Sequence, residues 1–408
     1  MDALKGRRIL VLVQGELAQS PRMLNHAREM TAVGALVDVV GFAGVPLPPD
    51  LSGNLAIAVH AISRLGATRW RGLPRILFIP AAALRALWLT VRTGWLLLRA
   101  LPRPDAILVQ NPPALPAAAL AVLAARVRSA AVIVDWHNLS AAMLTLRLGP
   151  EHALVRATER FERWLGGKAH ASLCVSEALR QRVRGNVRHG PCAVLHDRPL
   201  RQPPAMTEAE RVAILRRVSE ALRVVIASGE DRAPVVAVTS TSWSADEDTG
   251  MLLDALTTFS GPPLVLIATG LGPGRAAFEA RARGLDCPGL RIVTGWLADD
   301  LYRDLLSAAD LGISMHRSAS GLDLPMKIVD MIAAGLPVLA YAYGPCLDEL
   351  LPREQAAGLF TTAAELAESL GAALQDYPQL SRLARIRDAM TALALPGWTE
   401  EWRRVALP

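Results

Sequence analysis

The sequence predicts an α/β protein of two doubly wound, Rossmann-like domains, and three observations carry that expectation. At 408 residues the chain can bury two cores of about 200 residues each. Short apolar, β-branched runs alternate with helix-length segments twice over, the pattern of parallel sheets covered on both faces. Between the two sets, around 198–234, a Pro-containing entry, Arg201-Gln-Pro-Pro, and a charged helix interrupt the alternation. The boundaries follow: 1–198, 199–385, and a helical tail over 386–408 whose last helix, with Trp398 and Trp402, is expected to pack back on the first domain.

Strands are expected near 8–13, 36–42, 56–60, 106–110, 131–135, 170–175 and 193–196, then near 235–239, 264–269, 291–295, 311–315 and 337–341. Two apolar stretches could pass for membrane spans. Residues 106–125 are uncharged, but Pro112, Pro113 and Pro116 divide them into a strand and a helix. Residues 73–101 carry Arg85, Arg92 and Arg99 at seven-residue intervals, within about 40° on one helical face. That stretch reads either as an interfacial helix with its arginines among lipid phosphates, or as a core helix with a wet arginine face.

Composition narrows the class. The chain is 51% apolar and 20% charged, with net charge +6 and a pI near 9.5, which suits anionic partners: a nucleotide sugar, a lipid-linked diphosphate or an anionic membrane surface. Nucleic acid is excluded, because the arginines are scattered with few aromatics among them. Cys174, Cys192, Cys287 and Cys346 form no C-x-x-C pair and no metal-like spacing, as in a reducing compartment. The apolar run 9–13 is too short for a signal core and suits a first strand, so a cytoplasmic chain is expected. After that strand comes Gln14-Gly-Glu-Leu-Ala-Gln-Ser20 with a single glycine, so neither a dinucleotide fingerprint nor a P-loop is present.

The segment His316-Arg-Ser-Ala-Ser-Gly-Leu-Asp-Leu-Pro-Met-Lys327 leads into a helix that should stop at Gly335. Its free N–H groups and Lys327 suit a diphosphate, while Asp323 and Asp330, seven apart on one side, can accept bonds from sugar hydroxyls. The plainer alternative has Asp323 capping the helix and Asp330 pairing with Lys327. Thr239-Ser-Thr-Ser-Trp-Ser244 places hydroxyls after a strand. The following Asp246-Glu-Asp248 matches the D-x-D of metal-dependent transferases, but a capping box between Ser244 and Glu247 explains it better. Asp135-Trp-His-Asn138, Gln110-Asn-Pro-Pro113 and Glu16 end three strands of the first domain at one sheet edge.

Together with Gly15-Glu-Leu-Ala-Gln-Ser-Pro-Arg-Met23, Leu195-His-Asp-Arg-Pro199 and Thr241-Ser-Trp-Ser-Ala-Asp-Glu-Asp248, these motifs, in order along nearly the whole chain, resemble the chitobiosyldiphosphodolichol β-mannosyltransferases, glycosyltransferase family 33. The resemblance implies a GT-B fold, with two Rossmann-like domains facing an interdomain cleft. It implies an inverting transfer of mannose from GDP-mannose to a GlcNAc2 unit on a polyprenyl diphosphate, by a peripheral protein on a membrane's cytoplasmic face. No obligatory cofactor is implied; a divalent metal is possible but unsupported. Donor binding would involve Arg198, Thr241, Ser242, His316, Ser320, Gly321 and Leu322, with Asp323 on mannose, Lys327 on the diphosphate and Asp330 on the ribose. Ser20, Arg22, Gln110, Asn111, Trp136 and Asn138 would meet the acceptor. The expected base is Glu16, then Asp135, with His137 rather a sugar contact. The family usually has Asp at Glu16 and Lys at Leu271. The rivals are a GT-B transferase with another nucleotide sugar or acceptor in cell-surface polysaccharide assembly, and a non-catalytic membrane-surface partner of the same fold.

Overall fold

Runs of Val, Ile, Leu and Ala form two all-parallel sheets in the computed structural model, which describes residues 4–63, 75–185, 190–198, 206–226, 234–244, 246–392 and 396–405. The Pro-containing entry 201–204 and residues 73–74 of the arginine-bearing stretch lie outside the described residues. The chain divides into Met1–His196 with Trp398–Pro408, and Asp197–Gly397.

The first sheet holds β1 (Arg8–Glu16), β2 (Leu36–Phe42), β3 (Ile57–Ala61), β4 (Ala106–Asn111), β5 (Ala131–Trp136), β6 (Ala171–Cys174) and β7 (Cys192–Val194). Its order, β3-β2-β1-β4-β5-β6-β7, reverses direction between β1 and β4. At such a switch point the connections leave on opposite faces and open a crevice at the carboxyl ends of the strands. Glu16, Gln110, Asn111 and Asp135 all stand at those ends. The core beneath is Val11, Val39, Leu108, Ile133 and Leu173, joined by Trp398 and Trp402 of the helix Trp398–Val405.

The second sheet holds β8 (Val235–Ser240), β9 (Leu264–Thr269), β10 (Leu290–Gly295), β11 (Leu311–Ser314), β12 (Val338–Tyr341) and β13 (Gly358–Phe360), in the order β10-β9-β8-β11-β12-β13. Its switch point lies between β8 and β11. The hydroxyl loop follows β8, and the loop starting at His316 follows β11. The sixth strand, β13, lies outside the expected set, since Gly-Leu-Phe holds no β-branched residue. The tail expected over 386–408 is split: residues up to Gly397, including the helix Ser381–Ala392, belong to the second unit, and the chain joins the first only from Trp398.

The helix Arg75–Trp95 turns an apolar face outward, unlike the core helix of the second sequence reading. Leu84, Leu87, Trp88, Val91 and Trp95 are exposed, whereas Arg85 and Arg92 are half-buried, and the Arg92 guanidinium lies 4.7 Å from the Trp95 ring centroid. A π turn, Leu96–Ala100, follows and inserts an extra residue into the helical phase. Exposed Arg99 therefore leaves the heptad register, and the uninterrupted outward arginine stripe is replaced by an outward apolar face.

Candidate active site

In the first unit, β5 delivers Asp135 to the bottom of a buried polar network. Its carboxylate is 0% exposed and accepts Arg22 Nε–H at 2.8 Å, Arg22 Nη2–H at 2.9 Å, His26 Nε2 at 3.1 Å and His137 Nε2 at 2.9 Å. Burial opposes a charge on Asp135, but Arg22 and His137 outweigh it and hold the carboxyl well below its ordinary range. An ionised carboxylate only accepts, so His137 Nε2 carries a proton, and in the neutral ring the lone pair is on Nδ1. His137 is held by its backbone N–H on the Asn111 carbonyl at 2.8 Å, and its side chain is 22% exposed. An imidazole oriented by a buried carboxylate, with its other nitrogen open, is arranged as a general base.

Several expected contacts become supports instead. Glu16 is buried, and its Oε1 accepts Gly44 N–H at 2.7 Å and Val45 N–H at 3.0 Å, pinning the loop after β2 rather than standing ready for a proton. Asp135 already receives four donors, which places it to orient His137. Arg22 is buried, and besides Asp135 it donates to the Leu195 carbonyl at 2.8 Å. Buried Trp136 donates its indole N–H to Ser172 Oγ at 3.2 Å. Buried Asn111 donates to Glu162 Oε1 at 3.0 Å and to the Asn138 carbonyl at 3.1 Å. These three therefore build the sheet edge. Half-buried Ser20, Gln110 and Asn138 bond locally, to the Glu16 carbonyl, the Pro112 carbonyl and the Leu139 N–H.

Two residues of this network were missed. His26 could have been found, since Arg22 and His26 are four apart on the helix Pro21–Ala32 and must share a face. Glu162 could not: it comes from the helix Ala153–Lys168, accepts the Ser140 N–H at 2.6 Å, and no local pattern links it to Asn111.

In the second unit the loops after β8 and β11 are tied by a bridge between Glu247 and His316. The expected capping box is absent. Asp248 caps the helix Thr249–Thr257, accepting Met251 N–H at 2.9 Å, and it pairs with Arg317 at 3.1 Å. Glu247 is instead buried, accepts Thr241 Oγ–H and Ser242 N–H at 2.6 Å each, and forms an ion pair with Lys327. Gly270 and Gly272 make this loop possible: a Cβ on either would fall 1.7 Å from the Thr241 carbonyl oxygen or 1.8 Å from that of Ser242.

Lys327 occupies the first turn of the helix Met326–Ala333, where burial lowers its ammonium to about 8. Its partner is Glu247, not Asp330, and Asp323 does not cap the helix. Asp323 accepts from Ser318 Oγ and lies 3.3 Å from His316 Nε2. Gly321, at φ +70°, turns the chain so that its N–H donates to Ser318 Oγ at 2.8 Å, and Leu322 N–H reaches Ser320 Oγ at 3.1 Å. Asp330 is half-buried; burial raises it to about 7, with Arg303 opposing. Arg198 is buried at the start of this unit. A lysine at a helix start, a hydroxyl loop and a desolvated carboxyl suit an anion and adjacent hydroxyls. Among the described residues no group of three His, Cys, Asp or Glu is placed to hold a metal ion.

The comparisons agree with this division. A model described as Glycosyltransferase Family 4 matches residues 21–197, and one described as Glycosyl transferases group 1 matches 232–376. The chain is 35% identical to the chitobiosyldiphosphodolichol beta-mannosyltransferase of Yarrowia lipolytica over 86% of this chain and 75% of that one. It is 30% identical to the Homo sapiens protein of the same name over 98% and 92%. It is also 31% identical to the UDP-glycosyltransferase TURAN of Arabidopsis thaliana over 99% and 97%. Among solved structures, Anabaena Alr3699/HepE with UDP and glucose superposes with a TM-score of 0.65 at 16% identity over 95% of each chain. WaaG, a glycosyltransferase of lipopolysaccharide biosynthesis, gives 0.65 at 16% over 97% and 98%. The fold is GT-B and the protein is an enzyme, which removes the non-catalytic alternative. Ordered motifs, paired switch-point sites and identity along almost the full length together make the chain a glycosyltransferase belonging to the chitobiosyldiphosphodolichol β-mannosyltransferase family.

Proposed function

We propose that this chain transfers mannose from GDP-mannose, with inversion, to a GlcNAc2 unit on a polyprenyl diphosphate at the cytoplasmic face of a membrane. The observation that carries this reading is the extent of the likeness: relatives named chitobiosyldiphosphodolichol beta-mannosyltransferase match over 97–99% of the chain, across both sites. His137 Nδ1 takes the proton of the acceptor hydroxyl as its oxygen attacks the anomeric carbon. The bond from that carbon to the phosphate oxygen breaks, and GDP leaves with the electron pair. Asp135 stabilises the imidazolium, as its other hydrogen bonds keep it ionised. Lys327 and the first-turn N–H groups receive the departing diphosphate, so Lys327 exchanges Glu247 for phosphate oxygens. Asp323 faces mannose hydroxyls and Asp330 the ribose.

A lipid-linked acceptor calls for membrane contact, and the outward face of Arg75–Trp95 supports it. Leu84, Leu87, Trp88, Val91 and Trp95 supply apolar area, with exposed Leu123 and Val127 on the neighbouring helix Ala117–Arg128. Exposed Arg99 and Arg126 stand ready for anionic headgroups.

One relative favours a second reading, since its name specifies a UDP donor. Turnover of GDP-mannose with a synthetic GlcNAc2-diphosphate lipid, beside thermal shift with GDP and UDP sugars, tests the proposal. Stabilisation and turnover with UDP sugars alone would overturn the donor.

A further inference from the structure

We propose that the helix Trp398–Val405 is a positioning element for the reaction: Trp402 holds the ring of His26 in place, His26 holds Asp135, and Asp135 aims His137. The inference rests on His137 as the base. The chain of bonds follows from donor chemistry. An indole N–H only donates, and Trp402 Nε1 lies 3.0 Å from His26 Nδ1, so that nitrogen must accept. Burial lowers His26 and keeps the ring neutral, which leaves its one proton on Nε2, directed at Asp135 Oδ2 at 3.1 Å. The same oxygen receives His137 Nε2 at 2.9 Å. Three buried groups thus connect the terminal helix to the reacting nitrogen.

The helix is anchored for this role by more than packing. Trp398 meets His26 edge-on, with centroids 5.3 Å apart at 85°, and Arg22 sits 5.4 Å over the Trp398 ring. Thr399 Oγ lies 2.5 Å from Glu29 Oε1, and His196 Nδ1 lies 3.4 Å from Glu401 Oε1. Trp398 and Trp402 are buried, so water is excluded from the His26 side of Asp135. The charged and titratable groups facing Asp135 are Arg22 and His26 from the helix Pro21–Ala32, His137 from its own loop, and Cys174 from β6. The thiol stays protonated, because its contact with Cys192 and burial both raise it.

Without the indole N–H, His26 Nδ1 loses its buried donor and the ring is free to turn its Nε2–H away from Asp135. Asp135 then loses a donor, becomes more basic and favours the His137 imidazolium. Less neutral base is left at neutral pH. The Trp402→Phe variant keeps an aromatic ring in the core and removes that donor with the rest of the indole.

Histidine-selective 15N spectra of the full chain test the relay without turnover. The wild type should show His26 as the neutral Nε2–H tautomer. In Trp402→Phe the His137 midpoint should rise by about half to one pH unit, and the acid limb of kcat should move with it. Activity would fall about threefold to tenfold below the midpoint and recover at alkaline pH, with KM for GDP-mannose unchanged. In a His26→Gln background, whose amide donates to Asp135 without help, Trp402→Phe should shift neither. An Nδ1–H tautomer of His26 in the wild type, an unmoved His137 midpoint in folded Trp402→Phe, or an equal loss of kcat at every pH would overturn the proposal. Should Trp402→Phe not fold, Thr399→Val, which loosens the helix and keeps both tryptophans, should move the His137 midpoint the same way, and an unmoved midpoint there would overturn the proposal. Retained turnover in His137→Gln would overturn the base instead, leaving the shift of the His137 midpoint to judge the relay by itself.

Discussion

Replacing Asp330 by asparagine should stabilise the second unit at alkaline pH while weakening nucleotide binding. Burial lifts this carboxyl from an ordinary 3.8 to about 7, with Arg303 opposing and Asp299 and Asp197 adding to the rise. The unfolded chain releases the proton near pH 4 and the folded chain keeps it to about 7, so folding takes up a proton across that window. Stability falls as pH rises through the window and levels off above it. A separation of about three pH units between the two midpoints corresponds to roughly 4 kcal/mol. Asp330 is only half-buried and solvent softens its charge, so about 2 kcal/mol is the expected gain for Asp330→Asn at about pH 8, vanishing near pH 4. Urea denaturation of both proteins across that range reads it directly. A constant difference at every pH, or a variant less stable than wild type at pH 8, would refute the reasoning. Ribose hydroxyls donate to the ionised form, so wild-type affinity for GDP should rise with pH through about 7, while that of Asp330→Asn stays flat.

Lys327→Met should abolish measurable GDP-mannose binding and also destabilise, by about 3–5 kcal/mol, because buried Glu247 loses its counter-charge; adding Glu247→Gln should restore the melting temperature but not calorimetric binding. Glu16→Gln should retain most turnover and cost about 1 kcal/mol from its bonds to Gly44 and Val45, whereas His137→Gln should lower kcat by about 10²–10⁴; the reverse pattern would return the base to Glu16. Leu87→Ser with Trp88→Ser should reduce sedimentation with anionic vesicles by roughly tenfold or more, given about 1.5–3 kcal/mol per buried apolar side chain, and unchanged sedimentation would remove that face from membrane contact.

Most strands were legible because they are apolar runs with β-branched residues, and β13 was not because Gly-Leu-Phe opens on a glycine and holds no β-branched residue. Asp135-Trp-His-Asn138 stands out in the sequence, yet the roles proposed within it depend on partners that no local pattern names. His137 is the proposed base because Arg22 and His26 occupy Asp135 from below, with Trp402 behind His26. Glu16 looked free at a strand end, but strand-end position does not reveal that the N–H groups of Gly44 and Val45 turn toward it. Glu247 was hidden by a plausible capping box, the function that Asp248 performs. The arginine heptad misled because Arg75–Trp95 is apolar on most of its circumference, so spacing alone could not say which side faces out, and the π turn then rotates Arg99 away.

The return of Trp398–Val405 into the first core also orders events on the ribosome. About 200 residues separate His196 from Trp398, so at about 5–20 residues per second the nascent first unit waits roughly 10–40 s for the two tryptophans that complete its core. Asp197–Gly397 is contiguous, but β13 and the helix Ser381–Ala392 are made only late in the same interval. The unit that is translated first is thus not sealed first, and until the tryptophans arrive the charges of Arg22 and Asp135 stay open to water, a window in which chaperones would find this half of the enzyme.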